Sequence, residues 1–153
     1  MKQTTSKTET FQQSFQVEFA YSVSFTHQLF DIGNPLLADT LSGSGRPGPH
    51  RVLVYIDGGV AEAHPQLVHR IRNYTQHHAD VFALAMEPSL IPGGERAKNG
   101  WNIVQNIMTD IGKTHLDRHS FVIVVGGGSV LDSVGFAASI VHRRVRLIRV
   151  PTT

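Results

Sequence analysis

The sequence predicts an α/β domain in which helices cover a parallel β-sheet. Short apolar runs alternate with longer segments whose apolar residues recur at helical spacing, and each run is soon followed by glycine or proline. Continuous apolar runs of this length are typical of strands that are buried on both faces, as in parallel sheets. Because such strands alternate with helices, we expect βαβ units with right-handed crossovers.

Four strands and the helices between them account for most of the chain beyond residue 50. Strands are predicted at 52–56, 81–86, 121–125 and 147–150. Helices are predicted from three sets of apolar residues: Leu67, Val68, Ile71 and Tyr74; Ile103, Val104, Ile107, Met108 and Ile111; Val130, Val134, Phe136, Ala137 and Ile140. A shorter helical pattern begins after Asn34-Pro35. This order predicts a Rossmann-like parallel sheet flanked by helices.

The N-terminal part has a different pattern. Apolar and polar residues alternate from Phe15 to Phe25, which predicts a half-buried β-strand or hairpin extension of the domain. Residues 1–12 are mostly polar and are predicted to form a disordered tail. We therefore expect a single α/β domain over residues 13–153.

Length and composition fit one globular domain. The 153 residues suffice for a single core, and 41% of them are hydrophobic. No apolar segment approaches the roughly 20 residues of a membrane span, and the polar start lacks the apolar stretch of a secretory signal. The absence of cysteine excludes disulfides and thiolate metal sites. We expect a cytoplasmic protein with no membrane partner.

The charge distribution argues against a nucleic-acid partner. Net charge is only +2 with neutral histidines, although the isoelectric point is about 9.2. The densest basic cluster is His142–Arg146, with Arg149 just beyond it. Because Arg146 and Arg149 fall in a predicted strand, they do not form the basic helix face that would fit a duplex. A small anionic ligand such as a phosphate explains the cluster better.

Every distinctive loop follows the carboxyl end of a predicted strand. The loops are Asp57-Gly58-Gly59, Gly93-Gly94-Glu95, Gly126-Gly127-Gly128 and Pro151-Thr152-Thr153. In open α/β sheets, ligands bind beyond the carboxyl ends of the strands. The sequence therefore predicts one ligand site at this edge of the sheet.

The triple glycine favours a pyrophosphate, because glycine lets backbone N–H groups approach closely and the following helix N-terminus attracts an anion. A tight strand-to-helix turn explains the same glycines by geometry alone. Asp132, one turn into the helix, would either cap the helix start or bind a ribose hydroxyl. Glu95 and Lys98 are either ligand contacts or an exposed charge pair. Glu87, after the second strand, is either a surface residue or an acid that selects NAD through the ribose.

Two kinds of catalytic site have no support in the sequence. The nine histidines are scattered, with no H-E-x-x-H motif and no carboxylate at metal-ligand spacing. No G-x-S-x-G motif is present, so a serine hydrolase is not indicated.

Three motifs together resemble the 3-dehydroquinate synthase family of sugar-phosphate cyclases. Gly93–Lys98 is similar to its G-E-x-x-K segment, and Gly126–Phe136 to its G-G-G-x-x-x-D-x-x-G-F segment. Arg143–Arg146, leading into Val150–Thr153, is similar to R-G-V-R followed by V-P-T-T. The residues at 117–119 and 142–143 are similar to 3-dehydroquinate synthase-like proteins of Ebo-type gene clusters.

This resemblance implies an N-terminal domain that binds NAD. Asp57 would hold the adenosine ribose, Gly127 and Gly128 the pyrophosphate, and Asp132 the nicotinamide ribose. Arg143 would reach the substrate phosphate from the neighbouring subunit of a homodimer. The family's reaction oxidises a sugar-phosphate alcohol transiently, eliminates phosphate, reduces the ketone again and closes the ring by an aldol step. The cofactor-binding residues implied are Asp57, Gly94, Glu95, Lys98, Gly127, Gly128, Ser129, Asp132, Thr152 and Thr153.

The chain also departs from the family pattern. Gly59 stands where many members have asparagine, and Arg144 replaces a glycine, which puts one cofactor contact and the phosphate region in doubt. The resemblance implies a divalent metal, zinc or cobalt, whose ligands lie on a helical C-terminal domain beyond Thr153. It therefore assigns neither a metal ligand nor a catalytic residue to this chain, and we expect the chain alone not to turn over substrate.

Two alternatives remain open. The N-terminal domain of an iron-containing alcohol or glycerol dehydrogenase also has G-G-G-S-x-x-D and P-T-T motifs, and Ser129 slightly favours it. Gly93–Lys98 and the arginine-rich strand favour the cyclase instead. The other alternative is a non-catalytic nucleotide-binding fragment.

Overall fold

The structure is a computed structural model of the chain, and it describes residues 9–18, 20–94, 101–141 and 145–152. In these ranges the order of elements is α1 (Leu36–Ser42), β1 (His50–Asp57), α2 (Gly58–Ala63), α3 (Leu67–His77), β2 (Phe82–Leu84), β3 (Ser89–Ile91), α4 (Trp101–Lys113), β4 (Phe121–Gly126), α5 (Gly128–Ile140) and β5 (Arg146–Pro151). Of the helices in these ranges, none is long and apolar enough to cross a membrane.

The strands form one parallel sheet with the order β2-β1-β4-β5, and β3 also pairs with β1. The predicted α/β fold with a parallel, Rossmann-like sheet flanked by helices is therefore confirmed. Residues 52–56 of β1 pair with residues 121–125 of β4. Since β4 occupies that side of β1, β2 and β3 both lie on its other side, as two pieces of one edge.

The edge strand differs from the prediction. A continuous strand over 81–86 was expected, whereas β2 covers only Phe82–Leu84 and β3 begins at Ser89. On β1, two residues lie between the part that pairs with β2 and the part that pairs with β3. On the edge itself, four residues (85–88) lie between β2 and β3. Pro88 explains the interruption, because proline has no N–H to donate and restricts the residue before it.

Apolar side chains alternate between the two faces of the sheet and build two hydrophobic layers. On one face, Tyr55 and Val124 pack with residues of α4 and α5. On the other face, Ile56 and Ile123 pack with residues of α1 and α3. Every residue of β4 is buried. Burying each valine or isoleucine side chain contributes about 1.5–3 kcal/mol, so this strand anchors both layers.

Two buried tyrosines connect the helices to the rest of the domain. The Tyr74 hydroxyl accepts a hydrogen bond from the Ala38 N–H at 3.1 Å and donates one to the Asn34 carbonyl at 2.9 Å, which fixes α1 against α3. The Tyr55 hydroxyl donates to an Asp110 carboxylate oxygen at 3.2 Å and links β1 to α4. Burial, reinforced by the charge of Asp110, raises the pKa of Tyr55. Both hydroxyls therefore remain protonated donors at neutral pH.

The N-terminal segment does not form the expected strand or hairpin. Residues 9–18 and 20–26 contain no strand, and the side chains of Phe15, Tyr21 and Phe25 are largely exposed. Alternation of apolar and polar residues indicates a segment with one apolar and one polar face if it is extended. A β-strand also requires a neighbouring strand that pairs with its backbone N–H and C=O groups. No strand of the described residues pairs with this segment, so the prediction is wrong for them. Residues 1–8 lie outside the described ranges, and the disordered tail over 1–12 stays a prediction.

A turn centred on Asp117 leads into β4. The Asp117 carboxylate accepts hydrogen bonds from the His119 N–H at 2.9 Å and the Ser120 hydroxyl at 2.8 Å. The Asp117 N–H donates to the Ser120 hydroxyl oxygen at 3.0 Å. The bond from the His119 N–H, more than any other contact, lowers the pKa of Asp117. The ionised carboxylate therefore stabilises the turn at the amino edge of the sheet.

This turn makes the stability of the domain depend on pH. Because the pKa of Asp117 is lower in the folded than in the unfolded chain, its contribution is present above the unfolded pKa of about 3.9 and is lost as the pH falls through the folded pKa. Asp117→Asn keeps an acceptor oxygen but removes the charge. In urea unfolding at a series of pH values, we expect the variant to be less stable than wild type at neutral pH and to match it in strong acid. A difference that is independent of pH would contradict this role.

Candidate functional site

The parallel register brings four strand ends to one edge of the sheet. Asp57 pairs with Ile91 at the end of β3, and Gly126 pairs with Pro151 at the end of β5. The Thr152 N–H donates to the Gly126 carbonyl at 3.2 Å, which continues the pairing into the last loop. The loops that begin at residues 57, 92, 126 and 151 therefore lie along one edge, as the positions of the sequence motifs predicted.

Asp57 is the central side chain of this edge. It is half-buried, and its Oδ1 atom accepts the Gly59 N–H at 2.9 Å, which caps the start of α2. This bond holds the side chain within the loop. A carboxylate in this position accepts hydrogen bonds from hydroxyl donors, such as those of a ribose.

Glycines from three loops surround the Asp57 carboxylate. A Cβ atom at Gly93 would lie 2.9 Å from Asp57 Cγ, and one at Gly126 would lie 2.7 Å from Asp57 Cβ. A Cβ at Gly59 would meet Oδ1 at 3.4 Å, and one at Gly127 would meet Oδ2 at 4.0 Å. Any side chain at Gly93 or Gly126 would therefore displace the aspartate. The absence of side chains leaves backbone beside the carboxylate, so a ligand can approach closely.

The triple glycine forms the start of α5. Gly127 is the N-cap residue in an extended conformation, and its carbonyl accepts the N–H groups of Val130 at 3.1 Å and Leu131 at 3.0 Å. No side chain caps this helix start. The N–H groups of Gly128 and Ser129 come before the first of these hydrogen bonds in the helix. N–H groups in this position bind anions at helix N-termini.

Asp132 does not cap α5, so the capping alternative is wrong. The helix begins at Gly128, and its first turn contains no acidic residue. The Asp132 side chain is 78% exposed and lies 3.6 Å from the guanidinium of Arg149 on β5. This ion pair was not predicted, because residues 132 and 149 are far apart in the sequence.

Other predicted site residues fall partly outside the described chain. Thr152 is exposed at the end of β5, and Gly94 follows Gly93 with a positive φ of 69°. Glu95 and Lys98, Arg143 and Thr153 lie outside the described residues, so their roles stay predictions.

Glu87 lies in the connection between β2 and β3. Its Oε2 atom is 2.6 Å from Nε of Arg72 on α3, and both side chains are mostly exposed. Whether this acid also selects NAD remains a prediction. Across the described residues, no three His, Cys, Asp or Glu side chains are grouped as a metal site.

Gly93 and Gly126 contact the Asp57 side chain, but neither was among the predicted cofactor-binding residues. Both belong to the motifs described above, but no sequence pattern indicates that the two glycines contact the same aspartate. Their contact depends on the register between β1, β3 and β4.

Comparison with known proteins gives a consistent family assignment. Residues 88–153 match the sequence model of the 3-dehydroquinate synthase N-terminal family. A 2-epi-5-epi-valiolone synthase of Streptomyces glaucescens is 34% identical over 133 residues, which are 87% of this chain and 31% of that protein. A 3-dehydroquinate synthase of Helicobacter pylori is 35% identical over 104 residues, which are 67% of this chain and 27% of that protein.

A solved structure shares the fold. The 2-epi-5-epi-valiolone synthase of Streptomyces hygroscopicus subsp. jinggangensis 5008, with NAD+ and Zn2+ bound, superposes with a TM-score of 0.71 at 29% identity. The match covers 94% of this chain and 35% of that protein. The chain thus spans about a third of the length of the relatives that it matches.

Because Gly93 lies against the Asp57 side chain, Gly93→Ala should disturb the hydrogen bond between Asp57 and the Gly59 N–H. The added methyl group meets the Asp57 carboxylate, so the aspartate must move and its bond to the Gly59 N–H must lengthen. In amide NMR spectra we expect the Gly59 resonance to move upfield, as for a weakened hydrogen bond.

Gly112→Ala is the matched control, because a Cβ at Gly112 meets no atom within 4 Å. This variant should leave the Gly59 resonance in place. An unchanged Gly59 resonance in Gly93→Ala would contradict the proximity of the loop to Asp57.

Proposed function

The chain belongs to the 3-dehydroquinate synthase family of sugar-phosphate cyclases, and on that premise we propose that it is the NAD-binding, N-terminal part of such a cyclase. One observation carries this proposal most directly: the Asp57 carboxylate lies at the carboxyl edge of the sheet between glycines of three loops. A ribose supplies hydroxyl donors for the carboxylate, and the glycines allow the rest of a dinucleotide to lie against the backbone.

Each part of the cofactor has a matching group at this edge. Asp57 accepts hydroxyls of the adenosine ribose, and the amides at Gly127 and Gly128 receive the pyrophosphate at the start of α5. Ser129 follows them in the first helical turn. Asp132, exposed one turn further along, accepts hydroxyls of the nicotinamide ribose. At Gly93 and Gly126 the space of a Cβ atom is taken by Asp57 itself, whereas a Cβ atom at Gly128 would meet nothing within 4 Å, so the start of α5 leaves room for a pyrophosphate.

Further residues complete the proposed site. By the resemblance, the cofactor-binding residues also include Gly94, Thr152 and Thr153, with Glu95 and Lys98 as contacts of the adenosine half. Arg143 binds the phosphate of the substrate, and it does so from the neighbouring protomer of a homodimer. These assignments come from the motif resemblance together with the position of the loops.

The proposed reaction is that of the family. Bound NAD+ would supply reversible hydride acceptance towards an alcohol of a sugar phosphate, without net consumption of the cofactor. The residues of this chain bind and orient the cofactor: the carboxylates of Asp57 and Asp132 fix the two riboses, and the backbone N–H groups at Gly127 and Gly128 donate hydrogen bonds to the pyrophosphate. By the family resemblance, a zinc or cobalt ion and the catalytic side chains would be supplied by the helical C-terminal domain of such a cyclase, so we assign neither to the residues of this chain. We place the protein in the cytoplasm.

The cyclase is favoured over an alcohol or glycerol dehydrogenase. The family match begins at residue 88 and includes both Gly93–Lys98 and the arginine-rich strand, the two segments that distinguished the alternatives in the sequence. A 2-epi-5-epi-valiolone synthase and a 3-dehydroquinate synthase are among the relatives above 30% identity.

The proposal is tested by titrating the chain with NAD+ in a calorimeter. Asp57→Asn should weaken binding about tenfold to a hundredfold, because hydrogen bonds to a charged group are worth about 1.5–3 kcal/mol. Asparagine also caps helices well, so α2 should still form.

Asp80→Asn is the control, since it removes the same charge beside β2, at the amino edge of the sheet. Its affinity for NAD+ should equal that of wild type. The proposal fails if the wild-type chain does not bind NAD+, or if Asp57→Asn binds it equally well.

A further inference from the structure

We infer that Arg149 is a positioning residue, which holds Asp132 in place for the nicotinamide ribose, and that Gly135 provides the space for its guanidinium group. This inference rests on the proposed function, because Asp132 is a ribose ligand only if the chain binds a dinucleotide. Neither Arg149 nor Gly135 was among the predicted cofactor-binding residues.

Arg149 projects from β5 towards α5. It pairs with Val124 of β4 and lies two residues after Leu147, so the two side chains lie on the same face of the sheet. Leu147 packs against the hydrophobic layer that contains α5. From this face the Nη1 atom of Arg149 comes within 3.6 Å of Asp132 Oδ1.

Gly135 makes this path across the helix possible. It is buried within α5, and a Cβ atom there would lie 2.5 Å from Arg149 Nη2 and 3.4 Å from Arg149 Cζ. Asp132 and Gly135 are three residues apart, so they share one face of the helix. The guanidinium therefore lies over Gly135 on its way to Asp132.

The helix itself gives no reason for a glycine at this position. Gly135 lies inside α5 and does not have a positive φ. Glycine is the least favourable helix former after proline, and alanine is the best. The atoms within 3.4 Å of an added Cβ belong to the side chains of Arg149 and Leu147. The space taken by Arg149 is thus the structural reason for glycine here.

The pair is suited to positioning rather than to stability. Both side chains are at least half exposed, and exposed ion pairs contribute little to folding. Their effect is to restrict the position of the Asp132 carboxylate. At 3.6 Å between Nη1 and Oδ1 the contact is an ion pair, so Arg149 acts on Asp132 through its charge. At 78% exposure, Asp132 remains accessible to a ligand while Arg149 holds it.

The test compares the affinities of NAD+ and AMP for the wild-type chain and for Arg149→Ala. AMP contains the adenosine ribose but lacks the nicotinamide ribose. We expect Arg149→Ala to weaken NAD+ binding about threefold to fivefold, in line with an exposed ion pair, and to leave AMP binding unchanged. The urea midpoint of the variant should equal that of wild type. Arg118→Ala, which removes the same charge before β4 at the amino edge, should change neither affinity.

Gly135→Ala tests the path of the guanidinium. It should weaken NAD+ binding in the wild-type background and have no further effect in the Arg149→Ala background, because its effect passes through the arginine.

The inference is overturned if Arg149→Ala leaves NAD+ binding unchanged, weakens AMP equally, or is additive with Gly135→Ala. A wild-type chain that binds neither nucleotide would overturn the proposed function, and this inference with it. A wild type that binds both, with no effect at Arg149, would overturn the inference alone.

Discussion

The candidate site depends on the parallel pairing of β1 with β4. This pairing runs from Val52 with Phe121 to Ile56 with Val125, and it sets the end of β1 beside the triple glycine. A Cβ at Gly126 would lie only 2.7 Å from Asp57 Cβ, so the two strand ends can meet only because residue 126 is glycine. The buried layers on both faces keep this register, since a shift by one residue would turn each apolar side chain to the opposite layer.

The two edges of the sheet differ in how they satisfy their polar groups. At the amino edge, Asp117, Ser120 and the His119 N–H bond to one another in a closed turn. At the carboxyl edge, the Asp57 carboxylate is bounded by glycines, and the first amides of α5 lack a side-chain cap. A helix start of this kind is satisfied by water or by a ligand. The carboxyl edge therefore offers backbone N–H donors and an acceptor carboxylate to a ligand.

The sequence was informative where local pattern determines structure. The apolar runs at 52–56 and 121–125 predicted β1 and β4, because strands buried on both faces need no polar alternation. Local pattern was insufficient where a strand depends on a partner strand. The alternation from Phe15 to Phe25 predicted a strand, but no strand of the described residues pairs with this segment. The motifs predicted that the four loops share one edge of the sheet, and the register confirms this. The approach of Gly93 to Asp57 and of Arg149 to Asp132 depends on strand register and on the packing of α5 against the sheet, which no local pattern encodes.

The central claim is that a dinucleotide binds at the carboxyl edge, and amide NMR during titration of the isotope-labelled chain with NAD+ tests it most directly. We predict that the resonances that move belong to residues of the four loops there, namely Gly58, Gly59, Gly93, Gly126, Gly127, Gly128 and Thr152, whereas those of the turn at residues 117–120 stay fixed. Changes concentrated at the amino edge, or no changes at saturating NAD+, would contradict this account.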